Sequence, residues 1–135
     1  YERSYGLVST HLFLQELSEA EILRSLKRGY AYVCFDVFAP CRGFSFIATD
    51  GKEIAIMGDE YNLNRENPSK MKIAVPFDAT IRLIKDGAVY KEAAGTGMEI
   101  DLTEPGVYRM EADIATKKAK KPQQWIYSNP IYVRK

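Results

Sequence analysis

The residues able to do chemistry are few and scattered. The single histidine, His11, sits beside Leu12, Phe13 and Leu14. One histidine excludes a multi-histidine zinc or dinuclear centre built by this chain alone. It also leaves any Ser or Cys nucleophile only one base to pair with. Read against its apolar neighbours, His11 is a packed or hydrogen-bonded structural residue. No G-x-S-x-G elbow, phosphate-binding loop or dinucleotide fingerprint occurs.

Two cysteines, Cys34 and Cys41, are seven positions apart with Pro40 between them. A loop that short is able to satisfy disulfide geometry. The favoured alternative is a free Cys34, a small buried hydrophobe inside an aromatic strand pattern. Neither reading assigns a compartment.

Glu60, Asn62, Asn64 and Glu66 place oxygen side chains at every second position, a pattern that hard cations such as calcium favour. Arg65 interrupts the run and no glycine bends it, so a solvated connection ending at Pro68 is expected instead. Lys117, Lys118, Lys120 and Lys121 form a basic cluster near Trp125 and Tyr127, the ingredients of single-strand nucleic-acid binding. The overall balance of 19 Lys+Arg against 18 Asp+Glu argues against it. The expected partners therefore include neither nucleic acid nor a membrane, and no apolar run approaches the ~20 residues of a membrane span. Self-association as a homo-oligomer is left open. No catalytic, cofactor-binding or metal-binding residue is expected in this chain.

The elements that position these residues are mostly strands. Within 18–29, Ser18 is a good N-cap with Glu21 at the third helical position, and Gly29 supplies the stop. Ile22, Leu23 and Leu26 fall on one face of that helix. Beyond Gly29 the period changes from 3.6 to 2. Strand patterns cover 30–38, 44–50, 52–57, 71–77, 80–85, 88–93, 97–102 and 106–114, with a closing strand from Trp125 to Val133. Asp50-Gly51 and Asp86-Gly87 mark hairpins. About nine short strands with no helix between them indicate antiparallel pairing in two layers. Pro105-Gly106-Val107-Tyr108 has the arrangement of a tyrosine corner. The fold class expected is mainly β, an immunoglobulin-like antiparallel β-sandwich with one short N-terminal helix.

In the closing segment "WIYSNPIYV", Trp125, Tyr127, Ile131 and Val133 are read as core, and Asn129-Pro130 as a bulge or edge position. The alternative is an interaction surface of Trp125, Tyr127 and Tyr132, belonging to an independent glycan- or peptide-binding module.

Several segments carry a resemblance. "EAEILRSLKRGYAYVCFD", "GFSFIATD", "MGDE", "PGVYRMEAD" and "WIYSNPIYVRK" resemble the C-terminal domain of bacterial metal-dependent phosphoesterases of the PHP (polymerase and histidinol phosphatase) superfamily. The likeness covers residues 10 to 135. It implies a non-catalytic accessory β-sandwich, residues 18–135, whose partner is its own N-terminal PHP domain. Residues 1–17 would be the linker from that domain, consistent with a chain that opens on Tyr1 rather than Met. The family's divalent metals belong to the barrel, so no cofactor is expected here. The H-x-H and D-x-H patterns are absent and His11 matches neither, so no catalytic residue carries over.

Overall fold

The computed structural model describes residues 7–63, 66–117 and 119–135. The chain runs β1 (Ser9–Leu12), α1 (Glu19–Arg28), β2 (Ala31–Cys34), β3 (Ser45–Thr49), β4 (Ile54–Ile56) and β5 (Glu60–Asn62). It continues with β6 (Lys70–Lys85), β7 (Ala88–Asp101), β8 (Gly106–Ile114), β9 (Gln123–Ser128) and β10 (Ile131–Arg134). Among the described residues the architecture is mainly β with one helix, a β-sandwich-like arrangement made from one curled, largely antiparallel sheet. The parallel pairing of β10 with β5 is the exception.

The sheet curls because β6 serves both halves. Lys70–Ala74 pairs with β3, whereas Thr80–Lys85 pairs with β8. On its other edge β6 pairs with β7, with the register broken between Ala74 and Ala79. Pro76 lies in that break, where its missing N–H costs no ladder bond. The two predicted strands 71–77 and 80–85 are thus one bent strand, and 88–93 and 97–102 likewise merge into β7. Met71, Ile73 and Val75 point into the core as the alternation requires, but Phe77, inside the break, is 46% exposed.

Both hairpin turns form where expected. Asp86 and Gly87 take the positive φ values (50° and 86°) of a two-residue turn, and Asp50 Oδ1 accepts from the Lys52 and Glu53 amides. The tyrosine corner is present: Tyr108 donates its hydroxyl proton to the Glu104 carbonyl at 2.8 Å.

The helix begins and ends as its sequence dictates. Ser18 Oγ accepts from the Glu21 amide, and Gly29 closes the helix in the left-handed region. Only half of the capping box is made, because the Glu21 carboxylate turns to Arg24 in a two-pronged pair at 2.9 and 3.1 Å. The expected apolar face is also corrected. Ser25 is the buried helical residue, donating to the Phe13 carbonyl, while Leu23 and Leu26 face solvent.

Three further expectations change. Ser9–Leu12, placed within a linker, is an edge strand that pairs antiparallel with β2; residues 1–6 of that segment lie outside the described residues. The polar interval contains β5, held by a parallel ladder that its local composition does not announce. Cys34 and Cys41 are joined by a disulfide, with Cα atoms 6.3 Å apart, so neither is a free thiol.

Candidate functional site

The pairing of β1 with β2 sets Ser9 opposite Cys34 and His11 opposite Tyr32. Side chains alternate across a strand with period two, and directly opposed residues share a face. Ser9, His11, Tyr32 and Cys34 therefore occupy one face, and Asp36 lies two residues beyond Cys34. The His11 ring stacks on Tyr32 with centroids 4.8 Å apart and an interplanar angle of 11°. Its Nε2 lies 3.1 Å from Ser9 Oγ and 3.5 Å from Asp36 Oδ2, and Ser9 donates to that same carboxylate oxygen.

Behind these polar groups is the Cys34–Cys41 disulfide, whose two residues are buried. Asp36 Oδ1 is 3.1 Å from Cys34 Sγ, a contact rather than a hydrogen bond because a disulfide sulfur carries no proton. Ligating atoms of His11, Cys34 and Asp36 all fall within 4.8 Å of one another. His11 and Asp36 are each about one-third exposed, so the cluster is reachable from solvent on their side. Burial pushes the Tyr32 hydroxyl above its ordinary pKa, and the Asp36 charge adds to this.

Ser9, His11 and Asp36 have the composition of a hydrolytic triad but not its geometry. A relay needs the acid on one ring nitrogen and the hydroxyl on the other. Here both approach Nε2, and the serine proton is committed to the carboxylate. The arrangement holds a proton network together and presents nitrogen and oxygen donors; it does not activate Ser9.

The aromatic residues of the closing segment separate. Trp125 is fully enclosed, and its Nε1 donates to the Ala39 carbonyl at 2.9 Å, so it forms no part of an exposed surface. A β-bulge explains this. Ala112 pairs with Ile126 and Asp113 with Gln124, leaving Trp125 as the extra residue on β9. Trp125 and the adjacent Ile126 both point inward, and parity is reversed for Tyr127. Tyr127, read as core, instead lies partly exposed, edge-on to Phe35 with centroids 6.1 Å apart. Phe35 stacks loosely on Phe38, and Val37 and Phe38 are exposed beside it. Tyr132 is partly exposed on β10, 5.9 Å from the Arg134 guanidinium. Ile131 and Val133 are buried.

The remaining candidates add little. Glu60 and Asn62 lie on β5, with Glu60 3.8 Å from Arg134; Asn64 and Arg65 lie outside the described residues. Lys117, Lys120 and Lys121 flank Lys118, which is also outside them. On the face of β6 and β8, Arg82 pairs with Asp113 at 2.9 Å and Glu111 at 3.6 Å, neutralising that surface internally.

Sequence reading treated His11 and the two cysteines separately, and Ser9 and Asp36 did not stand out. The alternation of Tyr32, Cys34 and Asp36 offered a hint of a shared face. The partner strand that brings His11 to it was unrecognised. Compared with family models, curated proteins and solved structures, the chain matches none.

Proposed function

We propose that this chain is a non-catalytic accessory module that packs against a PHP-type metal-dependent phosphoesterase domain carried on the same polypeptide. Two lines support this reading: the resemblance of its helix, central and closing segments, and the placement of its uncovered apolar side chains. Leu23 and Leu26, three apart on α1, are 59% and 51% exposed, and Leu17 just before the helix is 88% exposed. Leu7 and Val8, immediately before β1, are also exposed. An amphipathic helix normally turns its leucines to the core. This helix turns Ser25 inward instead and leaves the leucines for another surface. That reversal is the observation carrying the proposal.

The reading is tested at two levels. The gene sequence upstream of Tyr1 should encode, in frame, a domain opening with H-x-H and closing with D-x-H. The chain alone should hydrolyse no generic phosphoester with Mn²⁺ or Zn²⁺ above the metal blank. Metal-dependent turnover by the chain alone would refute the accessory assignment.

A further inference from the structure

The corner formed by His11, Cys34, Asp36 and Cys41 has the donor set of a transition-metal site with two of its donors tied together. We propose that reduction of the Cys34–Cys41 disulfide converts this corner into a zinc-binding site, so that bond and metal are alternative occupants of the same two sulfurs.

Two geometric facts carry the inference. The Cys34 sulfur, His11 nitrogen and Asp36 oxygen already lie within 4.8 Å of one another, and Cys41 Sγ is bonded to that sulfur. Zinc takes four such ligands tetrahedrally, at about 2.3 Å to sulfur and about 2.0–2.2 Å to nitrogen or oxygen. Once the sulfurs part, Cys41 Sγ has to turn toward the three clustered donors for all four to surround one ion.

The backbone holds the donors in place without the S–S bond. His11 is fixed opposite Tyr32 by the β1–β2 ladder. The loop 35–40 is anchored by the Trp125–Ala39 hydrogen bond, and Phe44 donates to the Cys41 carbonyl at 3.0 Å. His11 and Asp36 line the partly exposed side, which gives an ion its path of entry.

The chemistry balances. A thiolate of an external dithiol attacks one sulfur of the disulfide, and its second thiol completes the exchange. The reagent leaves as its own disulfide, and Cys34 and Cys41 are left as two thiols. Zinc then displaces the two thiol protons to solvent and binds both thiolates, the neutral His11 ring and the Asp36 carboxylate. In the oxidised state the sulfurs are neutral and bonded to each other, and the remaining imidazole and carboxylate make a poor site. Two thiolates with one imidazole select zinc over magnesium or calcium, which prefer oxygen. Both cysteines are buried, so reduction should be slower than for an exposed disulfide.

The test uses the full chain, oxidised or reduced with a phosphine, titrated with Co²⁺ as a spectroscopic substitute for zinc. The reduced chain should develop thiolate-to-cobalt charge-transfer and tetrahedral ligand-field bands that Zn²⁺ abolishes; the oxidised chain should develop neither. His11→Ala and Asp36→Asn should each weaken cobalt binding by about 10-fold or more in the reduced state. Cys41→Ser, which cannot form the bond, should bind more weakly than the reduced native chain and equally with or without reductant. Equal binding by oxidised and reduced native chains overturns the proposal. So does reduced-state binding indifferent to His11→Ala, the mark of a loose dithiol. Trp125 fluorescence monitors folding, and a reduced chain that unfolds and is not restored by zinc also overturns it.

Discussion

Trp125 on β9 donates its indole proton to the carbonyl of Ala39, 86 residues earlier, at 2.9 Å. This bond ties β9 to the loop that carries Cys41, and the indole is fully buried. Trp125→Ala should cost about 3–5 kcal/mol, as large buried aromatic truncations do. Trp125→Phe retains most of the volume but drops the hydrogen bond, and should cost about 1–2 kcal/mol. Urea midpoints followed by far-UV circular dichroism give both numbers. A neutral Trp125→Ala would show that the residue is not core.

The disulfide closes a short loop, its cysteines seven positions apart. Chain-entropy arguments give about 2–3 kcal/mol for a loop of this size. The paired substitution Cys34→Ala/Cys41→Ala should lower the urea midpoint by the corresponding amount and leave the slope nearly unchanged. An unaltered midpoint would mean that the crosslink adds nothing to stability.

Gly58 is a second constrained point, with φ at +92°. A Cβ there would run into the Arg28 carbonyl and approach Tyr30 Cδ1 at 2.8 Å. Its amide donates to the Pro130 carbonyl at 2.8 Å, so the helix end, this turn and the β9–β10 connection converge on one site. Gly58→Ala should destabilise by about 3–5 kcal/mol, combining left-handed strain with overpacking. Gly51 has the same φ but open space around it, and Gly51→Ala should cost only about 1–2 kcal/mol. Thermal melts of the two variants side by side test the difference.

Tyr108 supplies a pH signature. Burial, reinforced by Tyr90, Glu104 and Asp86, pushes its hydroxyl up to about 12 from an ordinary 10.0. Between these values the unfolded tyrosine has lost its proton while the native one keeps it. Stability from this group is complete below pH 10 and declines as pH rises toward 12. Tyr32, Tyr61 and Tyr127 are raised in the same direction, so Tyr108→Phe should shallow the alkaline limb without abolishing it. The same variant removes the corner hydrogen bond and should cost about 0.5–1.5 kcal/mol at neutral pH. Urea unfolding from pH 7 to 12 measures both effects.

The helix leucines give the contrasting case. Leu23→Glu/Leu26→Glu should leave the isolated chain within about 0.5 kcal/mol of native stability, because both positions are exposed. Ser25→Leu should be strongly destabilising, since it overfills a fully buried site and removes the bond to the Phe13 carbonyl. If the double charge substitution melts the isolated chain, the leucines are packed within it and the docking surface is lost.

Several features were determined by sequence alone because their causes are local. Ser18 and Gly29 bound the helix through their own backbone and side-chain chemistry. Asp86-Gly87 turns because those two residues tolerate positive φ. Strict alternation through Tyr108, Met110, Ala112 and Ile114 buries that face whichever strand lies beside it. The mainly β class follows from such segments taken together.

What the tertiary structure decided depends on partners distant in sequence. Which helix face is covered was settled by Ser25 reaching Phe13 rather than by leucine spacing. One extra residue in β9 reversed the parity, burying Trp125 with Ile126 and turning Tyr127 outward. The meeting of His11 with Cys34 and Asp36 required β1 to pair with β2. Local pattern specifies how a strand alternates, but only pairing and bulges specify which strand faces it and in what register, because those energies arise between segments that share no neighbouring residues.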